Sequence, residues 1–136
     1  MYRSIHNRKP RGICLFALNE ELSEAKISLR FAGVELVRLR AVQRERRSHS
    51  TAAFQELEVE LLEEGDYKVY EGYGFYGDTP LLVRFYMLRN EPRIVRYAAL
   101  LTYKPRVLKG LIKRLEDLGW KRRFFFEIEA RISKYL

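Results

Sequence analysis

The stretch from Val34 to Glu63, VELVRLRAVQRERRSHSTAAFQELEVELLE, constrains the fold of this chain most, because two arms of alternating apolar residues flank a polar centre. If the arms fold onto each other about that centre, Leu39 meets Val59 on one face and Arg40 meets Glu58 on the other. Opposite charges across an antiparallel pair stabilise a sheet, and a shift of one residue would exchange the two faces. The pattern therefore predicts one long β-hairpin with a basic tip.

Three further strand-like runs follow the hairpin: Tyr67 to Tyr76, Leu81 to Arg89, and Ile94 to Tyr103. Each run has nine or ten residues rich in β-branched and aromatic side chains, and turns that contain Gly, Pro, Asn or Asp separate them. Strands of this length joined by short turns are typical of an antiparallel meander. We therefore expect five successive strands from Val34 to Tyr103, in a sheet that twists and curves.

The segments on either side of the meander supply the rest of the fold. Gly12 to Leu18 is continuously apolar and predicts a central strand that is covered on both faces. Pro105 to Leu118 predicts a helix, because apolar residues recur at helical spacing between an initial proline and a following glycine. Trp120 to Ile132 alternates and predicts a last strand in the centre of the sheet.

Asn19 to Gly33 supports two interpretations. A cap at Asn19, early acidic residues, later basic residues and a final glycine favour a helix, whereas the run KISLRF alternates as a strand does. Residues 20–32 therefore stay open between helix and strand. The expected fold class is α+β: a curved antiparallel β-meander of five or more strands packed against one C-terminal helix, with a second short N-terminal helix as the open element.

Composition and charge narrow the class of protein. The length of 136 residues fits a basic mobile arm at residues 1–11 and a single α+β domain at residues 12–136. The net charge of +8 is unevenly spread, since residues 1–50 carry +6, residues 51–88 carry −6 and residues 89–136 carry +8. No apolar run approaches the roughly 20 residues of a membrane span, so we expect a cytoplasmic protein with no membrane partner. Charged residues make up 32% of the chain, which suggests a thermophilic source.

The sequence contains no catalytic or metal-binding pattern. Cys14 is the single cysteine and lies in the apolar run ICLFAL, which predicts a buried thiol. His6 and His49 are far apart in the sequence and too few for a histidine-based metal site. Neither a nucleophile elbow nor a phosphate-binding glycine loop is present. We therefore expect no enzymatic activity and no cofactor.

The run EGYGFYG, from Glu71 to Gly77, resembles the aromatic-glycine strand motif of RNA-recognition-motif domains, in which rings on an open sheet face stack on bases. The resemblance covers seven residues and implies Tyr73 and Phe75 as the stacking pair. Glu71 stands where that family prefers a basic residue. In the alternative interpretation, the rings are packing residues and the two glycines of the run allow a strongly curved strand.

Basic residues cluster in the C-terminal third and at the hairpin tip. The C-terminal set is Lys104, Arg106, Lys109, Lys113, Arg114, Lys121, Arg122 and Arg123, and the tip set is Arg44, Arg46 and Arg47. Such residues can follow a phosphate backbone and release its counterions, or they can form a solvated cationic surface without a ligand.

The sequence as a whole favours a small non-enzymatic nucleic-acid-binding protein that uses the basic C-terminal helix region and the basic hairpin tip, with DNA and RNA both open. The alternative is a protein–protein interaction or assembly module that forms a homodimer through a sheet edge or an aromatic surface. A third and weaker interpretation is a β-cup that holds a small ligand.

Overall fold

A six-stranded antiparallel sheet forms the centre of the described chain, which in this computed structural model comprises residues 11–42 and 65–127. The elements in chain order are β1 (Gly12–Glu21), α1 (Leu22–Phe31), β2 (Val34–Ala41), β3 (Tyr67–Tyr76), β4 (Thr79–Leu88), β5 (Ile94–Thr102), α2 (Pro105–Asp117) and β6 (Lys121–Glu127). The strands lie side by side in the order β2-β3-β4-β5-β1-β6. Four of the five strand pairings contain a register shift. The expected α+β class with a curved, meander-like sheet is confirmed.

Both helices pack against one face of the sheet, here called the helix side. The strands contribute alternate residues such as Phe16, Val83 and Phe85 to this core, and the helices contribute their apolar stripes. Trp120 packs edge-to-face on Phe16 at 5.6 Å between ring centroids. Its indole nitrogen also donates a hydrogen bond to Glu20 at 3.2 Å, which links the end of β1 to the start of β6.

The opposite face of the sheet carries a second buried cluster. It is built from the strand residues that alternate with those of the helix-side core. Ile13, Leu15, Leu82 and Leu101 belong to it and are almost completely buried. The ring of Tyr67 makes edge contacts within this cluster, to two further tyrosines at 6.3 and 5.9 Å. Because β1 contributes to both clusters and lies between β5 and β6, its predicted central position is confirmed.

The segment that was open between helix and strand forms α1. The helix begins after Glu21 rather than at the predicted cap Asn19, because β1 continues to Glu21. The Glu21 backbone N–H donates to the Glu24 carboxylate at 2.9 Å, which caps the first turn. The chain leaves the helix through Gly33 at φ +103°, a conformation that favours glycine.

Two topological expectations were wrong. In the predicted meander, the second arm of the long hairpin separated its first arm from the strand at Tyr67 to Tyr76, but β2 pairs directly with β3 and places Arg40 opposite Glu71. The remainder of the predicted hairpin, including the pairings of Arg40 with Glu58 and of Leu39 with Val59, falls on residues outside the described part of the chain.

The second wrong expectation concerns the last strand. β6 was expected in the centre of the sheet, yet it lies at the end of the described sheet, next to β1. Its sequence suggested a central strand because one face of the alternating run is apolar; in the structure Phe124 packs against the second cluster and Phe125 against the helix-side core. An apolar pattern shows how a strand is covered from above and below, and it does not show how many strands lie beside it.

Candidate nucleic-acid interface

The helix α2 presents a basic face to solvent because its apolar stripe fixes its orientation. Leu108, Leu111, Ile112 and Leu115 are buried against the helix-side core. The residues on the opposite side of the helix are exposed, namely Arg106, Lys109, Gly110 and Lys113. Arg106, Lys109 and Lys113 recur at intervals of three and four, so they form one line along the helix. The predicted helix and its basic face are therefore present together.

Acidic residues are scarce beside this line. The segment from Lys104 to Leu115 contains five basic residues and no acidic residue. Among the described residues, Arg106 and Lys113 have no carboxylate within ion-pair distance. The first turn of α2 has no acidic residue and no side-chain cap, and Lys104 occupies the cap position. The positive end of the helix dipole therefore lies beside a cationic side chain.

Arg114 is the cation of α2 that contacts α1 and β3. Its guanidinium donates to the Ala32 carbonyl at 3.4 Å and lies 5.8 Å from the ring centroid of Tyr76. A side chain at Gly33 would meet this arginine at 3.3 Å, so the glycine leaves room for it. Arg114 thus joins the end of α1 to α2, and its charge is held in one place at the edge of the basic face.

The three consecutive cations of β6 divide between the two faces of the sheet. Arg122 lies opposite the core residue Phe16 and pairs with Glu116 of α2 at 3.8 Å, so it belongs to the helix side. Arg123 instead places its guanidinium 5.8 Å from the ring centroid of Tyr97, on the opposite face. Lys121 is exposed and pairs in register with β1. The structure therefore adds Arg122, and not the whole run, to the basic surface around α2.

The aromatic pair predicted to stack on bases lies away from α2. Tyr73 and Phe75 are half-buried, and Tyr73 packs against the second cluster on the sheet face opposite the helices. The neighbouring glycines have a packing reason: a Cβ at Gly72 would overlap a carbonyl oxygen of β2, and one at Gly74 would lie 2.7 Å from another. These glycines therefore allow β2 to approach β3 closely, and the stacking of Tyr73 and Phe75 on bases stays a prediction. The tip residues Arg44, Arg46 and Arg47 lie outside the described residues.

Two cations on α1 were missed by the sequence interpretation. Lys26 and Arg30 are exposed on α1, which packs on the same sheet face as α2. Their spacing of four residues, next to the buried pair Ala25 and Leu29, could have indicated one exposed basic side, but only once the segment was taken as a helix.

The described residues show neither a reactive cysteine nor a group of metal ligands. Burial raises the pKa of the Cys14 thiol to about 12, so the thiol is protonated and unreactive near neutral pH. Within residues 11–42 and 65–127, no three His, Cys, Asp or Glu side chains gather as metal ligands. Neither α1 nor α2 is long and apolar enough to cross a membrane. Comparisons with family models, curated proteins and solved structures found no match for this chain.

Proposed function

We propose that this chain is a non-enzymatic nucleic-acid-binding protein that contacts the phosphate backbone with the solvent face of α2. The observation that carries the proposal is the line of Arg106, Lys109 and Lys113 on a helix whose other side is anchored in the core. Cations that neutralise phosphates release condensed counterions, which favours binding without any base-specific contact.

The ends of the two helices support a binding role over a purely stabilising one. α1 has an acidic capping interaction at its first turn, which satisfies backbone N–H groups and suits the helix dipole. α2 has Lys104 at its cap position and Arg106 within its first turn, and that turn contains no acidic residue. Cations near a helix N-terminus cost about 0.3–1 kcal/mol each, whereas an anionic ligand there gains from both the dipole and the side chains.

Other cations extend the proposed surface. Arg114 is held by its contacts with α1 and β3, so it adds positive potential at the edge of the surface without a phosphate contact of its own. Arg122 comes to the same side of the sheet from β6. Tyr73 packs on the other face, and Phe75 shares that face because it lies two residues further along β3, so phosphate contacts by α2 do not require base stacking by this pair.

The test is a titration of the protein into fluorescently labelled single- and double-stranded DNA and RNA, followed by anisotropy at two salt concentrations. Phosphate is common to all four probes, so binding is expected in each strand type at about 50 mM salt, with a loss of roughly two orders of magnitude at about 200 mM. No binding of any probe at the lower salt concentration would refute the proposal.

A further inference from the structure

Ile27 and Phe31 form a small exposed apolar patch on α1, and Val37 is exposed on β2. Phe31 is 76% exposed, Val37 is 57% exposed and Ile27 is 52% exposed. Ile27 and Phe31 are four residues apart on α1, so their side chains lie next to each other on one side of the helix. Adjacent large apolar side chains in water are typical of a surface that binds another molecule.

A groove of about 790 Å³ runs between α1 and β2; Val37 lines it, and Ile27 and Phe31 directly follow its lining residues Lys26 and Arg30 along α1. α1 contributes Lys26 and Arg30 to its wall, and β2 with its preceding turn contributes residues 33–39. The lining includes three cations, with Arg38 as the third, and Glu35 as the acid. β2 is also the end strand of the described sheet, with no described strand on its outer side. We call this feature the α1–β2 groove.

We propose that the α1–β2 groove binds an acidic amphipathic segment of another protein. Charge complementarity selects this occupant: Lys26, Arg30 and Arg38 would meet carboxylates, while Phe31 and Val37 would cover apolar side chains of the same segment. A second copy of this chain fits less well, because a symmetric contact would bring two cationic grooves together. Nucleic acid fits less well too, since its backbone offers no apolar partner for this patch.

The groove meets α2 at Gly33, beside Arg114, but Arg106, Lys109 and Lys113 are not among its lining residues, so this inference does not depend on the proposed function. The test uses the full chain and three short labelled peptides. In the first peptide glutamate alternates with leucine, in the second serine replaces the leucines, and in the third lysine replaces the glutamates. The first peptide is expected to bind the protein at least about tenfold more tightly than either of the others.

Variants locate the binding. Phe31→Ser is expected to weaken the first peptide about tenfold or more, because the phenyl ring loses its buried contact in the complex. Lys26→Glu combined with Arg30→Glu is expected to weaken it to a similar degree. The matched controls are Leu118→Ser, which removes a 41%-exposed apolar residue at the end of α2, and Arg89→Glu combined with Arg93→Glu at the exposed turn between β4 and β5. Both controls are expected to keep the affinity within about twofold.

The melting temperature and the mass in solution test this interpretation further. Because Phe31 is exposed, the Phe31→Ser protein is expected to melt at the temperature of the parent protein, which separates lost binding from lost folding. Equal affinity for the three peptides, or undiminished binding by Phe31→Ser, would overturn the proposal. A dimeric mass by sedimentation that becomes monomeric with Phe31→Ser would also overturn it, because a second copy would then occupy the groove.

Discussion

Removal of two lysines from α2 gives a quantitative prediction about salt dependence. Lys104, Arg106, Lys109 and Lys113 are exposed, so about four phosphates are neutralised in the proposed complex. For duplex DNA, four contacts correspond to a slope of log K against log salt of about −3.6. A fourfold rise in salt then weakens binding about 150-fold.

The variant Lys109→Gln with Lys113→Gln halves the number of contacts and lowers the slope to about −1.8. The same fourfold rise in salt would then cost only about 12-fold in affinity. Both lysines are exposed, so the free energy of unfolding is expected to change by less than about 0.5 kcal/mol. Anisotropy titrations with labelled duplex at four or more salt concentrations would measure the slope directly.

The matched control also removes two positive charges, by Arg89→Gln with Arg93→Gln. Both arginines are exposed at the turn between β4 and β5, outside α2. This control is expected to keep a slope of about −3.6, which separates local contacts from net charge. Equal slopes for the two double variants would refute the assignment of the phosphate contacts to α2.

Three further predictions concern the fold. Gly72→Ala is expected to destabilise the protein by about 3 kcal/mol, because the methyl group would overlap the backbone of β2. Gly110→Ala, on the open face of α2, is expected to stabilise it by about 1 kcal/mol. Urea unfolding measures both changes. Glu71→Gln is expected to lower the free energy of unfolding by about 3 kcal/mol, because the carboxylate lies 3.0 Å from the guanidinium of Arg84, which is 3% exposed. Glu91→Gln, in an exposed ion pair, is expected to lower it by less than about 1 kcal/mol. Equal losses of stability in thermal melts would contradict this prediction. The Cys14 pKa of about 12 lies above the unfolded value of 9.0, so the stability that the buried thiol contributes is complete below pH 9 and is lost as the pH rises toward 12. The free energy of unfolding is therefore expected to fall less between pH 8 and pH 11 in Cys14→Ala than in the parent protein.

Local features of the sequence predicted most of the elements. β3 occupies Tyr67–Tyr76 as expected, and α2 begins at Pro105 and ends within one residue of the predicted Leu118. These boundaries follow from short-range physics, namely alternation in strands, helical spacing of apolar residues, and the backbone preferences of proline and glycine.

Such local signals could not predict the order of the strands in the sheet. β2 lies against β3 because Gly72 and Gly74 allow its backbone to approach closely where the register shifts between Leu36 and Arg38. The two glycines were visible in the sequence, but nothing in the sequence showed which backbone they face. The position of β6 depends on α2 crossing over β1, which is a property of the whole topology.

The same difference between local sequence signals and long-range contacts applies to the candidate sites. The basic face of α2 followed from the helical spacing of its leucines, because a fixed apolar side determines the exposed side. The α1–β2 groove did not follow, since a strand would place Ile27, Leu29 and Phe31 on one face. In the helix, Leu29 is buried while Ile27 and Phe31 are exposed, and this difference creates the apolar patch.

The most direct test of the account is lysine footprinting by acetylation and mass spectrometry, with and without bound nucleic acid. Contact through α2 predicts that Lys104, Lys109 and Lys113 become protected from acetylation in the complex. Lys26, exposed on α1 beside the separate groove, is expected to react at an unchanged rate. Protection of Lys26 with no protection of the α2 lysines would contradict the central claim.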